Sequence, residues 1–208
     1  NALRIAHMGH VNAAQVLARE PAHRKAQFAV ALCHLVRGRF AQGWQAYETR
    51  WLETSLGINK MPLTSPEWDG RAPLGGQRIL VYFEQGLGDT LQFCRFVPRL
   101  ADLGAEVWLI VQPALKRLLE SLDPRVTVVD GGKMPEMDYN APLLSLPRLL
   151  QLHEEAQFGG HAYLTPPTDA LAHWQTRLGP RLRPRIGLTW SGNAKHSNDH
   201  ERSLALAE

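Results

Sequence analysis

Two polar stretches hold the residues that could do chemistry. One is 84–90, with Glu84, Gln85, Gly86, Gly88, Asp89 and Thr90; the other is 191–195, with Ser191, Gly192, Asn193 and Lys195. In the first, two glycines open a loop, and Asp89 falls in the expected first turn of the following helix. A carboxylate there suits the positive end of the helix dipole, but it repels a phosphate seeking the same amides. The loop therefore suits a hydroxyl or a neutral group better than a pyrophosphate. Aspartate is also a favoured helix cap, so two readings of Asp89 stay open: cap alone, or cap with a function. The dinucleotide fingerprint is excluded because Leu91 stands where its third glycine belongs, and a Walker loop because no Lys-Ser/Thr pair follows. In the second stretch Lys195 suits an anion, or is a solvated loop lysine; His196 and His200 read as surface residues.

The elements around the first stretch are those of a Rossmann-like unit. Residues 79–83 form an unbroken apolar run, as in a strand buried on both faces of a parallel sheet. Leu91, Phe93, Cys94, Phe96, Val97 and Leu100 follow at roughly helical spacing, with Gly104 as the C-terminal cap. Strand, glycine loop and helix place a ligand at the carboxyl end of the strand. Glu84, at that end, has two readings: it hydrogen-bonds the loop backbone, or it meets substrate. Alternation continues with a strand over 106–111 and a helix opened by Pro113. Further strands are expected over 126–129 and 138–141, then a helix capped by Ser145 with Pro147 in its first turn. A Gly/Pro loop (159–167) leads to a helix near 168–178. Residues 185–190 read as another buried strand, which opens a second Rossmann-like domain and delivers the loop bearing Lys195. Arg181, Arg183 and Arg185 read as a linker with a solvated basic face, against the alternative of a phosphate or nucleic-acid clamp.

The first 56 residues carry no strand signal. Helices are expected over 2–19, 23–37 and 40–54. Gly9 and Gly43 differ by the 34 residues of a tetratricopeptide repeat, which places Ala31, Gly38, Phe40 and Tyr47 at that repeat's usual positions. His34 and Arg50 depart from the pattern. The reading is one repeat over 22–55 preceded by the last helix of another, against the plainer alternative of any helical hairpin. Residues 57–77 hold too many glycines and prolines for an element and serve as a connector, with Trp68 as its packing anchor.

Composition sets outer limits. With 44% hydrophobic and 21% charged residues in 208, the chain reads as one or two ordinary globular domains. No apolar run is long enough to span a bilayer, and no leader pattern opens the sequence. Cys33 and Cys94 form neither a metal motif nor a disulfide framework, which fits a reducing cytoplasm. The nine histidines lack ligand spacing, so no metal is expected. A net charge of +3 discriminates little. Nucleic acid is not expected as a partner, because no basic stripe with interleaved aromatics is present.

Several motifs together resemble bacterial tetratricopeptide-repeat proteins fused to a GT-B glycosyltransferase module, similar to the heptosyltransferase-like glycosyltransferases. They are Gly38, Phe40, Trp44, Tyr47, Glu48, Arg50 and Trp51; Trp68 with Gly70; the 84–90 loop with Gln92 and Phe93; residues 142–147; and Gly187 through Asn193 with His196, Asn198, Asp199, Arg202 and Ser203. The resemblance implies four segments: helical repeats over 1–56, the connector, an acceptor-side Rossmann-like domain over 78–183, and the start of a donor-binding domain over 184–208. It implies a metal-independent enzyme with no cofactor, using a nucleotide-diphosphate sugar as donor. Asp89 matches the candidate base, with Gln85, Gly86, Gly88 and Thr90 around the acceptor hydroxyl. Ser191, Gly192, Asn193 and Lys195 match the loop that contacts the donor phosphates. The acceptor would be a protein, glycan or lipid-linked molecule, and the repeats would recruit it or a protein partner. The fragment alone is expected to be inactive. The alternative is a non-catalytic repeat scaffold with a degenerate module.

Overall fold

The computed structural model describes residues 2–160, 162–192, 199, 203 and 204, with side chains from residue 11 onward. The chain divides into two units, with the second beginning at Thr168.

The first unit opens with three helices, α1 (Ala2–Arg19), α2 (Arg24–Val36) and α3 (Phe40–Tyr47). His23 starts α2, its Nδ1 accepting from the Ala26 amide at 3.2 Å. Gly38 turns the chain at φ +70°, a conformation that glycine adopts without strain. The helices of the hairpin meet at Gly43, where a Cβ would stand 2.5 Å from Leu35 Cδ2. The expected third helix is shorter than its sequence pattern. After Tyr47 it tightens into a 3₁₀ turn, Glu48–Leu52, in which Arg50 is fully buried.

A parallel four-stranded sheet follows, in the order β3-β2-β1-β4. Its strands are β1 (Arg78–Tyr82), β2 (Glu106–Ile110), β3 (Val126–Val129) and β4 (Tyr139–Pro142). Ile79, Leu80, Val81 and Tyr82 are at most 1% exposed, the burial expected of a central parallel strand. This mixed α/β arrangement is consistent with a Rossmann-like fold. The helical stretch after the glycine loop is broken where one helix was expected. It runs as α4 (Leu87–Phe93), a 3₁₀ turn (Cys94–Phe96) and α5 (Pro98–Asp102). Pro98 has no amide hydrogen to continue the ladder and stands at the start of α5. Helix α6 (Pro113–Leu119) opens on its proline, and α7 (Leu146–Leu149) is a single turn.

One apolar core runs from Ala31 and Tyr47 of the hairpin through Trp68 into the sheet. The connector closes the free edge of β4. The Trp68 amide donates to Asn140 O at 2.8 Å, and the Asn140 amide donates to Pro66 O at 2.9 Å. Trp68 is 4% exposed, its indole donating to Ala72 O at 2.8 Å. Close by, Gly70 has φ +83°, and a Cβ on it would stand 2.6 Å from the Leu149 carbonyl oxygen. Gly70→Ala is expected to lose about 2–3 kcal/mol in urea unfolding through strain and overlap. Gly75→Ala is the control: its Cβ would meet nothing within 4 Å, so the change should stay within about 0.5 kcal/mol.

The second unit holds α8 (Thr168–Leu178), at the position expected. Arg185 is not free linker: its guanidinium donates to Leu178 O and Gly179 O at 2.8 Å and to Pro180 O at 3.0 Å, capping that helix. The strand expected over 185–190 is absent among the described residues. No neighbouring strand pairs with this segment, and Ile186 and Leu188 are 84% and 77% exposed. A lone strand leaves its amides and its apolar face unsatisfied, which is why the apolar pattern alone does not form one. No helix among the described residues is long and apolar enough to cross a membrane.

Candidate functional site

The strand order reverses at β1, since the chain leaves it toward β2 on one side and reaches β4 on the other. A crevice forms beyond the carboxyl ends of strands at such a switch point. Here Glu84 follows β1 and Ser145 follows β4, and Arg50 of the hairpin reaches both. Arg50 Nε donates to Glu84 Oε1 at 2.9 Å, while one terminal nitrogen donates to Glu84 Oε2 at 3.2 Å and to Ser145 Oγ at 2.7 Å. The other donates to Glu48 Oε1 at 2.8 Å and to Tyr47 O at 3.3 Å. All five guanidinium N–H groups thus have acceptors. The plane also stacks on Trp51, 4.4 Å from the ring centroid. The Arg50 and Glu84 side chains are 0% exposed. Burial pushes the Glu84 carboxyl up to about 7, with the Arg50 charge opposing it.

Sequence reasoning missed this cluster. Glu84 pairs with an arginine 34 residues away, where the sequence suggested the loop backbone or a substrate. Ser145 does begin α7, but its hydroxyl makes no cap there and donates to Glu48 Oε1 at 2.9 Å. One signal was present: Arg50 departs from the small residue that the expected repeat pattern would have put there.

The cluster and its neighbours hold the glycine loop. Gln85 Nε2 donates to the Tyr47 hydroxyl at 3.2 Å, and Gln112 Nε2 donates to Gln85 O at 2.9 Å. Thr90 is 1% exposed, and its hydroxyl donates to Gln112 Oε1 at 2.9 Å, so it supports the loop from behind. That leaves Thr90 no access to a substrate, against its expected place around an acceptor. Gly86 and Gly88 are exposed, and nothing lies within 4 Å of a Cβ on Gly88.

Asp89 is half-buried. The Gly86 amide donates to its Oδ2 at 3.0 Å, which is the expected cap. Its Oδ1 has no hydrogen-bond partner among the described residues. Asp89 also lines a groove of 420 Å³ between the hairpin and α4. Leu35, Phe40, Trp44, Phe93, Phe96 and Phe158 give the groove apolar walls, and Gln92 and Arg95 are polar residues that also line it. The carboxylate is therefore fixed by one oxygen and faces open space, a geometry suited to accepting a proton or a hydrogen bond. The helical wall of this groove was not legible in the sequence, because it depends on where the hairpin docks.

Of the expected donor-side residues, Ser191 and Gly192 belong to the second unit and are exposed. The Gly192 amide donates to Ser203 Oγ at 3.0 Å. Asn193 and Lys195 lie outside the described residues, as do His196, Asn198, His200 and Arg202. Among the described residues no group of three His, Cys, Asp or Glu side chains could hold a metal ion.

No family model matches the chain, and no solved structure matches it. It is 30% identical over 186 residues to Protein FlbA of Caulobacter vibrioides, across 79% of this chain and 31% of that protein. The chain therefore spans under a third of that relative's length.

Proposed function

We propose that the groove before Asp89 is the acceptor side of a metal-independent glycosyltransferase of the GT-B type, working in the cytoplasm, with the hairpin as a tetratricopeptide-like recruiting element. The observation that carries this reading is the Asp89 carboxylate: one oxygen is held by the Gly86 amide while the residue lines an open groove. In this proposal Asp89 takes the proton of an acceptor hydroxyl, and the freed oxygen bonds to the anomeric carbon of a nucleotide-diphosphate sugar. The bond from that carbon to the diphosphate breaks, and the nucleotide diphosphate leaves with the electron pair. Ser191, Gly192, Asn193 and Lys195 would hold the leaving diphosphate, as donors aimed at developing charge. The acceptor class is a protein, glycan or lipid-linked hydroxyl.

The test uses the complete protein with a panel of radiolabelled nucleotide sugars. The reading expects one donor to raise the melting temperature with concentration and to release its nucleotide diphosphate as label passes to an acceptor. Absence of binding by every donor would sink it. A second reading, a non-catalytic scaffold, is favoured by the switch-point crevice, which Arg50, Glu48 and Glu84 fill with protein side chains. It expects no donor response.

A further inference from the structure

We infer that Phe158 limits the size of the group an acceptor carries beside its hydroxyl, and that the acceptor is a serine or threonine next to one large apolar side chain of a polypeptide. This rests on the proposal that Asp89 receives the acceptor hydroxyl. Phe158 stands where two cavities meet. One is the 420 Å³ groove before Asp89; the other, of 210 Å³, shares Arg95, Phe96 and Phe158 with it as lining. Phe96 is 4% exposed and belongs to the core. Arg95 is engaged in holding the segment, its guanidinium donating to Phe158 O at 3.2 Å and to the Tyr163 hydroxyl at 2.9 Å. The partition is therefore the Phe158 ring, which packs edge-on against Phe40 and Phe96 with centroids 4.5 and 6.0 Å away.

The lining of the groove selects among the three acceptor classes. A glycan would set hydroxyls against the rings of Phe40, Trp44 and Phe93 without partners, a cost that an apolar side chain does not incur. A long lipid chain would have to continue past Phe158, where the ring closes the groove. One apolar side chain fits a bounded pocket, and its burial is favourable. Leu32 and Val36, on the hairpin side of the groove, are 41% and 51% exposed, so such a group can enter from solvent. The peptide amides beside it need polar partners, and Gln92, exposed on the same groove, offers a donor and an acceptor.

The experiment is calorimetric titration of the complete protein with capped tripeptides, acetyl-Ala-Ser-X-amide, in which X is alanine, leucine, phenylalanine or 2-naphthylalanine. Wild type should bind the phenylalanine peptide about tenfold more tightly than the alanine peptide, and the naphthyl peptide more weakly than the phenylalanine one. Phe158→Ala should invert that last order, because the ring no longer separates the cavities. A merely destabilising change would weaken every peptide alike and leave the order intact. Phe158→Leu, a milder truncation, should shift the order in the same direction and decides the matter if Phe158→Ala does not fold. No sugar donor is present, so the result stands apart from transfer. The predicted order of binding, with no transfer from any donor, would keep the size limit and sink the transferase reading. Transfer to an acceptor whose binding does not depend on X would sink this inference alone. Tighter binding of geranyl phosphate or maltotriose than of the phenylalanine peptide, or an order of X that both variants leave unchanged, would also overturn it.

Discussion

Arg50→Ala is expected to lose about 3–5 kcal/mol of stability above neutral pH, the cost of stranding a buried carboxylate without its partner. Glu84 is that carboxylate, with its side chain 0% exposed. The loss should depend on pH with a definite sign. Burial raises the folded-state value of Glu84 from 4.5 to about 7, so the folded protein holds this proton more tightly than the unfolded chain. The stability contributed by protonation is complete below about 4.5 and fades as pH rises through about 7. Without Arg50 the opposing charge is gone, and the fade extends to higher pH. Urea unfolding should therefore show Arg50→Ala hurting more well above pH 7 than at about pH 5. Arg50→Ala combined with Glu84→Gln should recover part of the loss, because no buried charge remains. A loss under about 1 kcal/mol at both pH values would show that the cluster behaves as a surface pair.

The consequence reaches beyond stability, because the same contacts fix the loop that carries Asp89. Glu84 is held by Arg50 and Gln85 by Tyr47, both from the helical segment. The hairpin thus closes the switch-point crevice and, through Leu35, Phe40 and Trp44, walls the groove.

How much of this could be read in advance follows from the range of the interactions. Strand β1, the glycine loop and the start of α4 are written in one contiguous stretch, where an apolar run meets two glycines and a capping aspartate. Pro113 marks α6 for the same local reason. The break between α4 and α5 was less legible, because the apolar residues from Leu91 to Leu100 keep a helical rhythm across Pro98. The segment 185–190 shows the opposite limit: its apolar pattern is strand-like, but pairing needs a neighbour that no local pattern supplies. The Arg50 cluster joins residues 34 and 95 positions apart, so each member looks ordinary in its own window. The groove is of the same kind, with Asp89 visible in the sequence and the wall before it set by docking.

The largest effect on activity is expected from Asp89→Asn. Asp89 is the third residue of α4 and accepts the amide of the N-cap residue Gly86 as half of a capping box, and the amide oxygen of asparagine can accept the same N–H in place of Oδ2. The variant should therefore keep its stability within about 0.5 kcal/mol. What it loses is the ability to take a proton, and general-base assistance is worth about 10²–10⁴ in rate. This one change separates the two readings of Asp89 that the sequence left open, because a cap alone survives it and a base does not.

The decisive measurement is the single-turnover rate of sugar transfer by the complete protein, wild type against Asp89→Asn, with urea unfolding of both to establish equal folding. A well-folded variant slowed by about 10²–10⁴ is the predicted result. A well-folded variant that transfers sugar at close to the wild-type rate would contradict the account, leaving Asp89 as a helix cap and the groove without its base.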